Sequence, residues 1–93
     1  MNFRIHLIAI LMVLFAGWYF HLAVSEWLWI ILAIGLVLVA ELLNTAIEIL
    51  VDLVSPDFNT QAGKVKDVAA GAVVVAAIIS VLIGAIIFIP KFL

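Results

Sequence analysis

The sequence has no cysteine, only two prolines, and just four Lys and Arg and six Asp and Glu among 93 residues. Without cysteine there is neither a disulfide framework nor a thiolate metal site. Four scattered basic residues in a chain of net charge −2 give no basic stripe for nucleic acid. Polar residues of every kind are scarce: 70% of the chain is hydrophobic, against about 45–50% in a soluble domain. So few polar side chains cannot coat a soluble fold of this size. A β-barrel is excluded as well, because residues 69–79 are apolar on every side where barrel strands alternate. No phosphate-binding glycine loop is present; Gly63 stands alone. No repeat, linker or second domain is visible.

What remains is three apolar stretches, about 5–24, 28–54 and 68–89, the last with 22 residues and no charge. Each reaches the roughly 20 residues that a membrane-spanning helix requires. The expectation is an all-α membrane protein, residues 1–93 forming one membrane domain of three transmembrane helices per protomer packed as a bundle. Ser25-Glu26-Trp27 is expected as a tight turn between the first two spans. Residues 55–66 (SPDFNTQAGKVK) are expected as a polar loop, with Pro56 as breaker and Asn59 or Thr60 as N-cap. Arg4, Lys64, Lys66 and the amino terminus fall on one side, with Lys91 alone opposing them, so the 55–66 loop is placed in the cytoplasm. Trp18, Tyr19, Trp27 and Trp29 then form an aromatic belt at the outer face. A signal peptide is the rival reading of the first stretch, but the run is longer than a usual h-region and has almost no charged n-region.

The middle stretch departs from an apolar membrane helix. Glu41, Asn44, Glu48 and Asp52 follow at steps of 3, 4 and 4, which places them within an arc of about 80° on one face. A carboxylate at bilayer depth costs at least about 2.5–3.5 kcal/mol, so intramembrane acids point first to function. A lone polar residue would be read as interhelical glue; four on one stripe opposite a basic loop favour a site. Lys64, Lys66 and Asp67 precede the third span, where two lysines and free helix N–H groups could seat phosphate. Taken alone, the lysines serve equally well as topology determinants at lipid headgroups. Beside three carboxylates able to hold Mg²⁺ through oxygen, a metal-bridged phosphate is the more economical account.

Ala72, Ala76, Ser80 and Gly84 form a ladder of small residues at four-residue intervals that lets another helix approach closely. The partner of that ladder, inside the chain or on another copy, stays open, although three helices enclose a polar site poorly and favour an oligomer. His6 is read as interfacial near the cytoplasmic edge and His21 as facing the outer belt; neither is assigned to catalysis or metal.

The run Glu41-Leu42-Leu43-Asn44-Thr45-Ala46-Ile47-Glu48, then Val51-Asp52, then Lys66-Asp67-Val68-Ala69-Ala70-Gly71-Ala72-Val73, closely resembles the signature of the prokaryotic diacylglycerol kinase and undecaprenol kinase family. The resemblance is strong over residues 41–75 and extends weakly to Asn2-Phe3-Arg4-Ile5-His6. It implies a homotrimeric, integral-membrane lipid kinase of a bacterial inner membrane that moves the γ-phosphoryl group of MgATP onto a lipid hydroxyl. The product would be phosphatidic acid or undecaprenyl phosphate, and the site would lie at the cytoplasmic membrane edge. By position, the resemblance makes Glu41 the catalytic base, Glu48 the metal-bridging acid, and Lys66 with Asp67 nucleotide contacts. Asn44 and Asp52 would line the site, with Lys64 beside them. Asp57-Phe58-Asn59 stands where a nucleotide-contacting triplet usually reads acidic, Tyr, His, and departs from it at the second and third positions.

Family members also carry, before the segment matching Asn2-Phe3-Arg4, an amphipathic surface helix ending in a glutamate that shares the metal. The sequence given starts after that position, so the expectation is insertion and association with weak MgATP binding and low turnover. Two further readings compete: a non-catalytic helix-bundle subunit or inactive family member, and an ion conduit lined by Glu41, Asn44 and Glu48. Diacylglycerol and undecaprenol are not distinguished, because the surface that would select between them is uniformly apolar.

Overall fold

A computed structural model of the chain describes residues 3–57 and 59–93. It consists of three helices, α1 (Phe3–Tyr19), α2 (Val24–Val54) and α3 (Thr60–Phe92), joined by short connections. The all-helical membrane fold expected from composition is what forms. α2 and α3 have 31 and 33 residues and are each long and apolar enough to cross a bilayer; α1 is equally apolar but has 17 residues.

The connections fall elsewhere than the polar residues suggest. α1 ends at Tyr19, before the end of the 5–24 stretch, because the chain turns at His21. His21 adopts φ 54°, the left-handed conformation that closes helices. Leu22 N–H reaches back to the Gly17 carbonyl (3.1 Å) and His21 N–H to that of Trp18 (3.3 Å), the paired bonds of a Schellman motif. Ser25-Glu26-Trp27 is not a turn but the first turn of α2. Glu26 accepts the Ala23 backbone N–H at 2.9 Å, so its carboxylate starts the helix and does not belong to a connecting turn. Gly17 matters through its missing side chain: a Cβ there would overlap the Trp27 ring, which lies against the α1 backbone.

The second connection is also shorter than expected. Of the described residues between α2 and α3, only 55–57 and 59 lie outside the helices, and Lys64, Lys66 and Asp67 belong to α3. Asn59 caps that helix, its side-chain oxygen accepting from Gln61 N–H (2.8 Å) and Ala62 N–H (3.3 Å). Membrane helices need not stop at the membrane surface. At 1.5 Å per residue α2 and α3 are about 46 and 50 Å long, against a hydrocarbon thickness of about 30 Å, so they extend well beyond it.

α2 and α3 form an antiparallel hairpin that carries most of the packing. Three polar links at three heights fix its register. Lys91 Nζ lies 3.1 Å from Glu26 Oε2 at the Trp-rich end, Ser80 Oγ donates to the Ala33 carbonyl at 3.0 Å midway, and Lys66 pairs with Asp52 at the far end. The Glu26 partner accounts for Lys91, the one basic residue at odds with the topology. The small-residue ladder packs within the chain: Ala69 and Ala76 are buried, Ala76 and Ala72 line the α2/α3 groove, and Ser80 makes the link to Ala33. Apolar packing concentrates at the Trp-rich end, where Leu22, Ile30 and Ile87 meet Val13, Trp27, Ile34, Ile83 and Phe88. Phe20 stacks edge-on with Phe92 and Phe88 at the same end, with centroids 4.9 and 6.2 Å apart.

Candidate functional site

The far half of α2 carries the polar stripe that the sequence indicates. Helical geometry keeps Glu41, Asn44, Glu48 and Asp52 on one face, and each meets a different neighbour. Glu41, with 15% of its side chain exposed, has Oε1 3.0 Å from Nε2 of His6 on α1, itself 20% exposed. One turn on, Asn44 Nδ2 donates to Glu48 Oε1 at 3.2 Å, leaving Asn44 Oδ1 buried without a hydrogen-bond partner. One turn further, Asp52 pairs with Lys66 of α3. Thr45 donates its hydroxyl to the Glu41 carbonyl at 2.9 Å and so has no bond to the stripe's carboxylates.

Depth separates these groups. Counted from Trp27, Glu41 lies about 21 Å along α2, Glu48 about 31 Å and Asp52 about 37 Å. With a hydrocarbon layer of about 30 Å beginning near the aromatic end, Glu41 sits inside it, Glu48 at its edge and the Asp52–Lys66 pair beyond it. Lys66, about 37 Å from Lys91 along α3, reaches the same level as Asp52 from the other helix.

Some expected members of the site do not converge. Lys64 and Asp67 are exposed on α3, one residue to two residues from Lys66, and no bond joins them to the α2 stripe. Because α3 starts at Thr60, the open N–H groups lie one turn before the lysines, and two of them are taken by Asn59. A phosphate seat built from free N–H groups beside Lys64 and Lys66 is therefore not what forms. Asp57 is exposed, and Asn59 uses its side-chain oxygen as a cap. Phe58 lies outside the described residues.

The three carboxylates do not gather around one point. Among the described residues no three His, Asp or Glu side chains are close enough to hold a metal ion together; one face of a helix spreads them along its axis by about 1.5 Å per residue. The neighbours that do meet are Glu48 and Asn44, whose Nδ2 faces the carboxylate while its Oδ1 is buried without a partner. A single accessible carboxylate, Glu48, is compatible with Mg²⁺, which keeps several waters and binds through one or two carboxylates plus substrate phosphates. The set fits a cation arriving with a nucleotide better than one held by the protein alone.

His6 is the participant that residue-by-residue reading missed. Its signal was depth. His6 precedes Trp18 by 12 residues and Glu41 follows Trp27 by 14, so antiparallel helices bring both to about 18–21 Å from the aromatic end. On the aromatic-end side of the pair, an otherwise apolar groove of about 310 Å³ runs between the three helices, lined by Ile10, Val13, Ile34, Val37, Gly84 and Phe88 among others.

The chain is a three-helix membrane fold with a stripe of acids and a lysine along one side. Residues 1–88 match the family model described as prokaryotic diacylglycerol kinase, and the chain belongs to that family; it is a membrane lipid kinase. It is 48% identical over 90 residues to the undecaprenol kinase of Bacillus subtilis, covering 97% of this chain and 73% of that protein. It is 41% identical over 93 residues to the diacylglycerol kinase of Synechocystis, covering 99% of this chain and 53% of that one. Against the diacylglycerol kinase of Escherichia coli it is 36% identical over 53 residues, 57% of this chain and 43% of the relative. No solved structure matches it significantly.

Proposed function

We propose that the protein, as a homotrimer, transfers the γ-phosphoryl group of MgATP to the hydroxyl of a membrane lipid at the cytoplasmic face of a bacterial inner membrane. The observation that carries this reading is the order of side chains along one face of α2 away from the aromatic end: mostly buried Glu41 first, then the Asn44–Glu48 pair, then Asp52 with Lys66. A lipid hydroxyl lies just below the interface, whereas nucleotide phosphates stay in water. The base must therefore sit deeper than the phosphate-binding groups, and Glu41 does.

In this reading the lipid oxygen attacks the γ-phosphorus as Glu41 takes the hydroxyl proton, and the bond from phosphorus to the bridging oxygen breaks to release ADP. Phosphoryl transfer asks mainly for positioning and charge neutralisation. Glu48 would hold Mg²⁺, which would supply that neutralisation at the phosphate oxygens, and Asn44 would orient the Glu48 carboxylate through its Nδ2 bond. Lys66 holds phosphate, Asp52 holds Lys66, and Asp67, Lys64, Asp57 and Asn59 border the nucleotide. Of the two lipid alcohols named among the relatives, undecaprenol is the first choice, on 48% identity against 41% and 36% for the diacylglycerol kinases. The trimer is supported by the incompleteness of the site within one chain, where among the described residues no three acidic or imidazole side chains converge.

The test is ATP-dependent phosphorylation of undecaprenol and of diacylglycerol in mixed micelles. Glu41→Gln keeps shape and hydrogen bonding but cannot accept the proton, and should lower turnover by about 100-fold or more without changing assembly. Lys66→Ala in the same assay should raise the KM for ATP more than that for lipid. Wild-type turnover in Glu41→Gln would remove the base assignment, and an ATP response unaltered by Lys66→Ala would return that lysine to a topology role.

A further inference from the structure

We infer that His6 is a positioning residue for the reaction: it holds the Glu41 carboxylate so that one oxygen is fixed and the other faces the lipid hydroxyl. The inference rests on the reading of Glu41 as the base. His6 and Glu41 come from different helices, 35 residues apart, and meet at 3.0 Å with four-fifths or more of each side chain covered. A carboxylate at that depth needs a partner. With Nε2 carrying its hydrogen, the ring donates to Glu41 Oε1 and makes no demand on Oε2.

The consequence is geometric. A glutamate has three side-chain torsions, and in an open stripe it would sample several of them. The imidazole, carried on a helix of its own, limits the carboxylate to orientations that keep Oε1 on Nε2. When the lipid oxygen bonds to the γ-phosphorus and ADP departs, the hydroxyl proton passes to Oε2, and His6 keeps its own proton throughout. His6 also lines the largely apolar groove between the helices, so the histidine stands where the polar stripe gives way to a surface suited to hydrocarbon chain.

A merely structural clasp between α1 and α2 would also be weakened by removing His6, so the experiment separates the two roles. His6→Leu removes the donor while filling the space, and His6→Gln restores a side-chain N–H of comparable reach. Both are assayed for kcat and KM in lipid-containing micelles, alone and combined with Glu41→Gln, and their thermal unfolding is followed in the same detergent. The expected result is a fall in kcat of about 10- to 100-fold for His6→Leu, the scale on which small misplacements of reacting groups are felt, with KM for ATP changed less than about twofold. His6→Gln should recover most of the loss, and neither substitution should lower activity further in the Glu41→Gln background.

Turnover near wild type in His6→Leu, alongside an inactive Glu41→Gln, would overturn the role of His6 and leave the base in place. Loss in both His6 variants that follows their loss of thermal stability, without rescue by Gln, would also overturn it in favour of the clasp. Full activity in Glu41→Gln would overturn the base reading and this inference with it.

Discussion

His21 occupies the one non-glycine position in the left-handed region among the described residues, where an L side chain crowds the backbone at a cost of about 1–2 kcal/mol. The turn needs that conformation to close α1, and it needs no histidine. His21→Gly should therefore raise the stability of the detergent-solubilised protein by about 1 kcal/mol, seen as a higher thermal midpoint with activity unaltered. A lower midpoint would mean that the imidazole makes a stabilising contact of its own. The two histidines illustrate what single residues reveal. The conformational role of His21 follows from a backbone angle that no spacing rule reports. The Glu41 contact of His6 follows from matched depths that were legible, but only once the two helices are set side by side. The acidic stripe itself was legible because a helix face depends on residue spacing alone, whereas convergence of acids on one metal depends on distances along the axis.

At the scale of elements, the α2/α3 hairpin rests on small side chains. Ala76 is 4% exposed and lines the groove against α2, one turn before Ser80 and its bond to Ala33. Without a hydrophobic driving force between helices in lipid, close backbone approach and interhelical hydrogen bonds do the work. Ala76→Leu adds three carbon atoms to a filled seam and should cost about 1–3 kcal/mol, read as a lower thermal midpoint and increased helix separation in distance measurements between labels on α2 and α3. An unshifted midpoint would show that the seam yields at little cost. Helix ends were the least legible feature of these elements. Ser25-Glu26-Trp27 and 60–66 read as connections because they are polar, yet Glu26 is a helix-starting carboxylate and Lys64 and Lys66 extend a helix into water. Polarity reports the edge of the membrane, while caps such as Asn59 report the edge of the helix, and the two differ by about two turns on α3.

For the whole molecule, the outline is 52 × 19 × 18 Å, with large aliphatic side chains exposed along every helix. Lipid can cover such a surface, but it cannot satisfy Glu41 inside the hydrocarbon or Glu48 at its edge. The proposed trimer places further chains against that open side. The 10.1 kDa chain in mild detergent should accordingly have a protein mass near three copies by light scattering, with detergent contribution subtracted. A monomer that still phosphorylates lipid would remove the need for neighbouring chains at the site.

The sequence by itself determined the medium, the helical class and the identity of the polar stripe. All three depend on composition and on spacing within a segment: the scarcity of charge, the length of the apolar runs, and the 3.6-residue period that lines up Glu41, Asn44, Glu48 and Asp52. Tertiary structure decided which groups meet across helices. His6 reaches Glu41, Lys66 reaches Asp52, Lys91 reaches Glu26, and Ser80 reaches the Ala33 carbonyl. Each of these pairs depends on where the chain turns, and the turns are set by a left-handed residue at His21 and a cap at Asn59. Moving either by one residue rotates the following helix by about 100° and brings different side chains together.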